Sequence, residues 1–312
     1  ILVTSRERLN LQSERIFRVA GMRTPDEAVV GGWEEPEEQA RPYSALQLLL
    51  ERARRVHPDF RLTRENLAAV TQICRLVEGS PLGIELAVAW LELLSPEQIA
   101  REISRSLDFL ESEAADIPSR QRSLRAVFET SWSLLEAEEQ RTLRQLCVFP
   151  GSFSRQAALQ VSQCSLRTLL RLVNKSWLQP GENERYTLHG VLRQFGLERL
   201  QENPAEWMET KDRQAEFFAA YLQAQDKALR TSRQIEARQE MAVELESNIP
   251  TAWHWLVLSE RVDLLIEKML PGLYKYWLML IFADEFIPWL KVARQSIADT
   301  GERQRLLQWA IL

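Results

Sequence analysis

Helix-start signals recur along this sequence with a regularity that leaves little room for anything but packed helices. Ser44 and Gln47 stand at the capping-box spacing ahead of Leu46, Leu49, Leu50 and Ala53, which predicts a helix running to about Val56. Thr63 is placed to cap the next, whose apolar face is Leu67, Val70, Ile73, Cys74 and Val77, and Gly79 offers the permissive backbone that ends it. Ser80-Pro81 restarts a helix, because a proline at the first helical position forfeits no hydrogen bond. Leu82 to Leu94 is apolar nearly all round and is expected at the centre of a bundle. Ser95-Pro96-Glu97-Gln98 repeats the start and turns Ile99, Ile103, Leu107 and Leu110 inward. Residues 44–113 therefore read as a four-helix bundle. With only 11 Gly and 13 Pro among 312 residues, a turn-rich all-β chain is excluded.

Residues 114–203 change rhythm. Leu124, Val127, Phe128, Trp132 and Leu135 mark one amphipathic helix, and Leu143 and Leu146 a second that stops at the Phe149-Pro150-Gly151 turn. Ser154 opens a helix with Ala157, Ala158 and Val161 inside, and Ser165 another with Leu166, Leu169, Leu170 and Val173 inside. Trp177-Leu178-Gln179 and Arg185-Tyr186-Thr187-Leu188 flank Pro180-Gly181-Glu182-Asn183 as a hairpin, and a helix from His189 to Gln201 closes a winged-helix domain. Residues 204–312 read as a helical array, with helices around Phe217 to Leu222, Ile249 to Val257, Leu264 to Leu270 and Phe286 to Ile297. Trp253 and Trp289, 36 residues apart and each near an Ile-Pro pair, faintly echo a tetratricopeptide repeat of about 34 residues.

Residues 1–43 are different again. Ile1-Leu2-Val3 has the pattern of a strand buried on both faces of a parallel sheet, and Ile16 to Ala20 is a second candidate. Two short strands make no stable sheet alone, so they read as the remnant of a parallel α/β sheet whose partners are expected upstream, in a longer protein. Residues 29–42, with Gly31-Gly32, Pro36, Pro42 and Glu34, Glu35, Glu37 and Glu38, read as a solvated loop. The expected fold class is mainly α: the sheet remnant, the bundle, the winged helix and the terminal array.

Chemistry is sparse. There is no phosphate-binding loop, serine elbow, H-E-x-x-H or C-x-x-C pattern, and His57, His189 and His254 form no metal-ligand spacing, so the chain is a poor enzyme candidate. Three cysteines in apolar runs, Cys74, Cys147 and Cys164, fit reduced thiols in a cytoplasmic protein. No stretch supplies the roughly 20 apolar residues of a membrane crossing, so no membrane partner is expected. Thirty-nine basic against 44 acidic residues leave a net charge of −5, which calls for no polyanionic partner.

Over about residues 1–203, the order of three short motifs resembles the signal-transducing NTPases with numerous domains, the STAND or NB-ARC family. Ile1-Leu2-Val3-Thr4-Ser5-Arg6 is similar to that family's first-sensor strand, Gly79-Ser80-Pro81-Leu82 to its G-x-P motif, and Tyr186-Thr187-Leu188-His189 to the winged-helix motif ending in His. The resemblance implies that Arg6 faces a γ-phosphate, that Pro81 lies against an adenine ring and that His189 meets a β-phosphate. It implies further that ADP bridges an upstream NTPase core and the winged helix in a closed monomer. Exchange for ATP, with Mg held by that core, then opens the chain and exposes surfaces for a homo-oligomer. The phosphate loop and the magnesium-binding strand would belong to the upstream core, so this chain alone is not expected to hydrolyse ATP efficiently. The terminal helices would receive a protein or small-molecule signal. The family often has an acidic residue after the histidine; Gly190 stands there in this chain, which removes a carboxylate latch from that position. Without the resemblance, Arg6 reads as a solvated arginine, Pro81 as a helix start and His189 as a partly buried imidazole on a backbone carbonyl.

Two other functions fit the pattern. Arg167, Arg171 and Lys175 recur every four residues, and residues 120–203 carry 12 basic and 8 acidic residues, net +4, which would suit a winged-helix DNA reader. Three cations also make an ordinary solvated face, and nucleic acid is not the expected partner. A plain helical scaffold that grips another protein is the remaining alternative.

Overall fold

A computed structural model describes residues 3–5, 9, 11–17, 19–106, 109–110, 123–280 and 287–296. The described chain is mainly helical, with one small antiparallel sheet. It divides into two compact units: residues 1–140 with 174–177 and 189–198, and residues 141–173 with 178–188 and 199–312.

In the first unit, α1 (Glu27–Val30) and α2 (Pro36–Gln39) precede the bundle of α3 (Ser44–Val56), α4 (Leu67–Leu76), α5 (Pro81–Ala89) and α6 (Pro96–Arg105). A 3-10 turn, Trp90–Glu92, follows α5. The core is the expected one: Leu46, Leu49 and Leu50 of α3, Val70 and Ile73 of α4, Ile84 and Val88 of α5, and Ile99 and Ile103 of α6 are all buried. Burying aliphatic side chains like these contributes about 1.5–3 kcal/mol each against exposure. The predicted start signals act as read at α5, where Ser80 Oγ accepts from Gly83 N–H at 3.3 Å, and at α6, where Ser95 and Gln98 form a full capping box. Ser44 is different. It lies inside the first turn rather than before it, and its hydroxyl accepts instead from Arg23 N–H at 3.0 Å. Thr63 pairs reciprocally with Asn66 ahead of α4.

The first 43 residues depart from expectation. No strand forms among the described residues of 1–20; Val3, Ile16 and Val19 are exposed, and Phe17 is 89% exposed. Ile1, Leu2 and Arg6 lie outside the described residues. Residues 29–42 are not a plain solvated loop, since Val30, Trp33 and Ala40 are buried and the Trp33 and Tyr43 rings lie 5.6 Å apart. Pro36 opens α2 with Glu37 and Glu38 in its first turn. These acids complement the positive end of the helix, so a cluster that looked like loop chemistry is a helix start.

The first unit continues through α7 (Leu124–Trp132) and the beginning of α8 (Ala137–Leu146), and includes α11 (Gly190–Gln201) as far as Glu198. Trp132 sets its ring edge-on to Trp177 at 6.1 Å and to Phe195 of α11 at 5.6 Å, which ties α7 to a residue just before the wing and to one on the helix after it.

The second unit contains β1 (Phe153–Ser154), α9 (Arg155–Ser162), α10 (Leu166–Asn174, to Val173), β2 (Gln179–Pro180) and β3 (Arg185–Thr187). The sheet order is β1-β3-β2, with Phe153 opposite Tyr186 and Gln179 opposite Thr187. The hairpin was expected; the third strand, β1, was not, because two residues are too short to show an alternation. Gln163, at φ 53, makes the turn between α9 and α10.

The terminal helices are α12 (Pro204–Ala228), α13 (Gln234–Leu245), α14 (Asn248–Leu258), α15 (Val262–Leu264), α16 (Leu270–Leu280) and α17 (Ile287–Ser296). A π-helical turn, Leu265–Met269, joins α15 to α16. Its cause is Pro271, which has no N–H and whose ring would strike the carbonyl of Glu267 in a regular helix, so the turn widens just before it. The helix therefore runs on to Leu280 instead of stopping at Leu270. Trp253 and Trp289 do meet, with rings 6.1 Å apart. Their registers differ: Trp253 follows Ile249 by four residues and Trp289 follows Ile287 by two, which is not a strict repeat.

Candidate functional site

Two segments far apart in sequence meet at the end of α4. Val77 N–H still bonds to Ile73, and then Glu78 and Gly79 turn left-handed, with φ 47 and 66. The turn is fixed by backbone against backbone. Met22 N–H donates to the Gly79 carbonyl at 2.9 Å, and a Cβ on Gly79 would lie 2.2 Å from the Met22 oxygen. Gly79 thus needs both its positive φ and its missing side chain. Ser80 and the exposed Pro81 start α5 directly afterwards.

This turn directs the Glu78 carboxylate at the first turn of α11. Glu78 Oε1 accepts from Gly190 N–H, and Oε2 lies 3.2 Å from His189 Nε2. The helix N-terminus, with its unpaired N–H groups and positive dipole end, is where an anion is stabilised, and here the anion is a side-chain carboxylate. His189 Nδ1 is buried without a hydrogen-bond partner. A protonated ring would carry an N–H there with nothing to accept it. Burial accordingly pulls the imidazole down to about 4, and burial pushes the Glu78 carboxyl above its ordinary value against the opposing bond from Gly190. With the ring neutral, Nε2 carries the proton and donates to Glu78 Oε2, which leaves the partnerless Nδ1 without one.

Of the residues singled out in the sequence, His189 and the Gly79-Ser80-Pro81 turn are thus brought together, through Glu78. Arg6 lies outside the described residues. Glu78 itself escaped the sequence reading. Its signal was a local misfit: an acid at the carboxyl end of a helix is unfavourable to the dipole, unless it serves another helix. The latch absent at Gly190 is therefore supplied from another segment.

The basic stripe is arranged otherwise than expected. On α10 the buried residues are Thr168, Leu169 and Leu172, while Leu166 and Leu170 are 54% and 58% exposed. The inward face is rotated by one residue, about 100°, and the buried Thr168 hydroxyl is satisfied by Ser165 Oγ at 2.8 Å. Arg167 is exposed and Arg171 half-buried. Lys175 is held by Glu139 Oε2 at 2.9 Å, and Glu139 is only 1% exposed. The wing tip is acidic: Glu182 and Glu184 are exposed, and Arg155 pairs with Glu184 at 3.0 Å. Among the described residues, no His, Cys, Asp and Glu cluster could hold a metal ion, and no helix is long and apolar enough to cross a membrane.

Comparison with known proteins yields relatives of two kinds. A protein of Mycobacterium tuberculosis, provisionally named an HTH-type transcriptional regulator, is 34% identical over 210 residues, 64% of this chain and 22% of the relative; a Mycobacterium bovis protein of the same description matches to the same extent. An uncharacterized Mycobacterium tuberculosis protein is 30% identical over 215 residues, 65% of this chain and 50% of the relative. The chain thus spans about a fifth of the length of the named regulators and half of the other relative. No family model and no solved structure matches it.

Proposed function

We propose that this chain is a regulatory part of a transcriptional regulator, in which the helical bundle and the helix after the wing are held together or released at Glu78 and His189. The observation that carries this reading is the Glu78 carboxylate seated on His189 and on the first N–H of α11. A phosphate would compete for the same donors. The ligand we assign is an adenine nucleotide, ADP when the chain is held and ATP when it is released, with Pro81 and His189 as this chain's contribution and Arg6 added from the motif. The nucleotide and the upstream core rest on the sequence resemblance; the transcriptional role rests on the relatives' names.

A second reading, DNA recognition by α9 and α10, is favoured by those names and by the exposed Arg167. The name belongs to a protein of which the match covers 22%, so it does not assign DNA reading to this stretch. Two exposed leucines on α10 and two glutamates at the wing tip weigh against a phosphate-lined groove. A gel-shift titration of the 312-residue chain on duplex DNA separates the readings. The proposal expects no complex at about 50 mM salt; a complex that weakens steeply toward about 200 mM and is lost in Arg167→Ala would replace it with the second reading. In parallel, millimolar ADP should move the His189 ring resonances, more strongly in Glu78→Gln. No movement in either protein would contradict the nucleotide assignment.

A further inference from the structure

Within the second unit, the wing is fastened to the terminal helices. Arg185, the first residue of β3, donates to Glu244 Oε1 of α13 at 2.6 Å, to Ser152 Oγ at 2.9 Å and to the Ser152 carbonyl at 2.7 Å. Glu244, with a side chain 7% exposed, accepts through its other oxygen from Asn248 Nδ2 of α14 at 2.7 Å. Asn248 Nδ2 also reaches the Ser152 carbonyl at 2.8 Å. The backbone before β1 is pressed onto the same junction, since a Cβ on Gly151 would lie 2.3 Å from Ser247 Oγ. Three stretches of chain therefore converge on one buried ion pair: the loop before β1, strand β3 and the α13–α14 corner.

The wing's own ladder is weak by comparison. β2 has two residues and β3 three, and its tip carries Asn183 and Glu184 in left-handed conformation. Strands this short hold no fixed position by themselves. A half-buried guanidinium on a buried carboxylate, in contrast, tolerates few arrangements, because any that strands either charge is costly. The network also continues away from the wing. Burial first, and then the charge of Glu244, push the Tyr221 hydroxyl of α12 above its ordinary value, and Gln225 of α12 donates to Glu240 of α13 at 2.7 Å. Leu222, beside Tyr221, is where α16 crosses α12, so closely that a Cβ on Gly272 would lie 2.6 Å from the Leu222 carbonyl oxygen.

We infer that the Arg185–Glu244–Asn248 network is a coupling device through which the terminal helices set whether the wing is clamped or free. It links two sites, the α12–α16 crossing and the wing, through one side chain, Glu244, that holds Arg185 on one oxygen and Asn248 on the other. The inference requires neither DNA nor nucleotide, so it stands or falls apart from the function proposed above.

Amide hydrogen exchange across residues 178–188 of the 312-residue chain tests it. Glu244→Gln keeps the shape and strands the guanidinium, and wing exchange should quicken about 100-fold while α9 and α10 keep their protection. Gly272→Ala, remote from the clamp, should quicken wing exchange several-fold in the natural chain and add nothing in Glu244→Gln. If Gly272→Ala does not fold, Lys275→Met, which removes the bond from Lys275 Nζ of α16 to Asp226 of α12 at 3.0 Å, takes its place with the same expectation. Wing exchange unchanged in Glu244→Gln overturns the clamp. A distal change that leaves the wing untouched, or acts equally with and without Glu244, overturns the coupling.

Discussion

Acidification should cost this protein stability through His189, and the size of the cost follows from the site. Burial lowers the folded imidazole to about 4. In the unfolded chain it returns to 6.5. The unfolded state therefore takes up the proton first. The contribution to stability is complete above pH 6.5 and is lost progressively as pH falls toward 4, about 3 kcal/mol in all. Glu78 acts in the other direction: its raised folded value makes its contribution greatest below 4.5 and weaker as pH rises. His189→Gln can keep an N–H for Glu78 but does not titrate, so the difference between the two proteins isolates the imidazole. The assay is urea unfolding of both proteins at intervals from pH 7 to 4, alongside the His189 ring resonance followed by NMR. The two stability curves should diverge between pH 6.5 and 4. A His189 resonance that titrates near 6.5, or a difference that stays flat across that window, would refute the reasoning.

Gly79→Ala should destabilise the first unit by at least about 1–3 kcal/mol, read as a lower urea midpoint, since it combines a positive φ with a Cβ 2.2 Å from the Met22 oxygen. Lys175→Met leaves Glu139 buried without its counter-ion, with the Glu136 N–H as its remaining donor, so a loss of about 3–5 kcal/mol is expected, with much of it restored when Glu139→Gln is added; thermal unfolding of the single and double variants checks this. Ser95→Ala should cost about 1 kcal/mol by the same measurement, as it removes the capping box of α6. Cys74, fully buried and with its thiol pushed up to about 12, should not react with a thiol reagent until the first unit unfolds.

Where local chemistry decides structure, the sequence was legible. Ser80-Pro81 and Ser95-Pro96 begin helices because a hydroxyl and a proline satisfy the first turn without outside help. The hairpin around Gly181 and the helices from Ser154 and Ser165 are likewise written in their own residues. Where long-range contacts decide, it was not. The face of α10 that packs inward, Thr168, Leu169 and Leu172, is set by what it packs against, and β1 exists only because β3 lies beside it. The residues that make the candidate site were half visible: His189 and Gly79-Ser80-Pro81 stood out, while Glu78 acts on a residue 111 positions away. The Arg185 clamp was hidden for the same reason, since its partner Glu244 lies 59 positions away.

The most direct measurement is hydrogen exchange at both ends of the Glu78 contact, in the natural chain and in Glu78→Gln. One carboxylate holds the first turn of α11 and belongs to the Met22–Gly79 turn, so the account predicts that exchange quickens at Gly190 to Arg193 and at Met22 together. Acceleration at only one of the two places, or at neither, would mean that the bundle and the helix after the wing are not coupled there, and the central claim would fall.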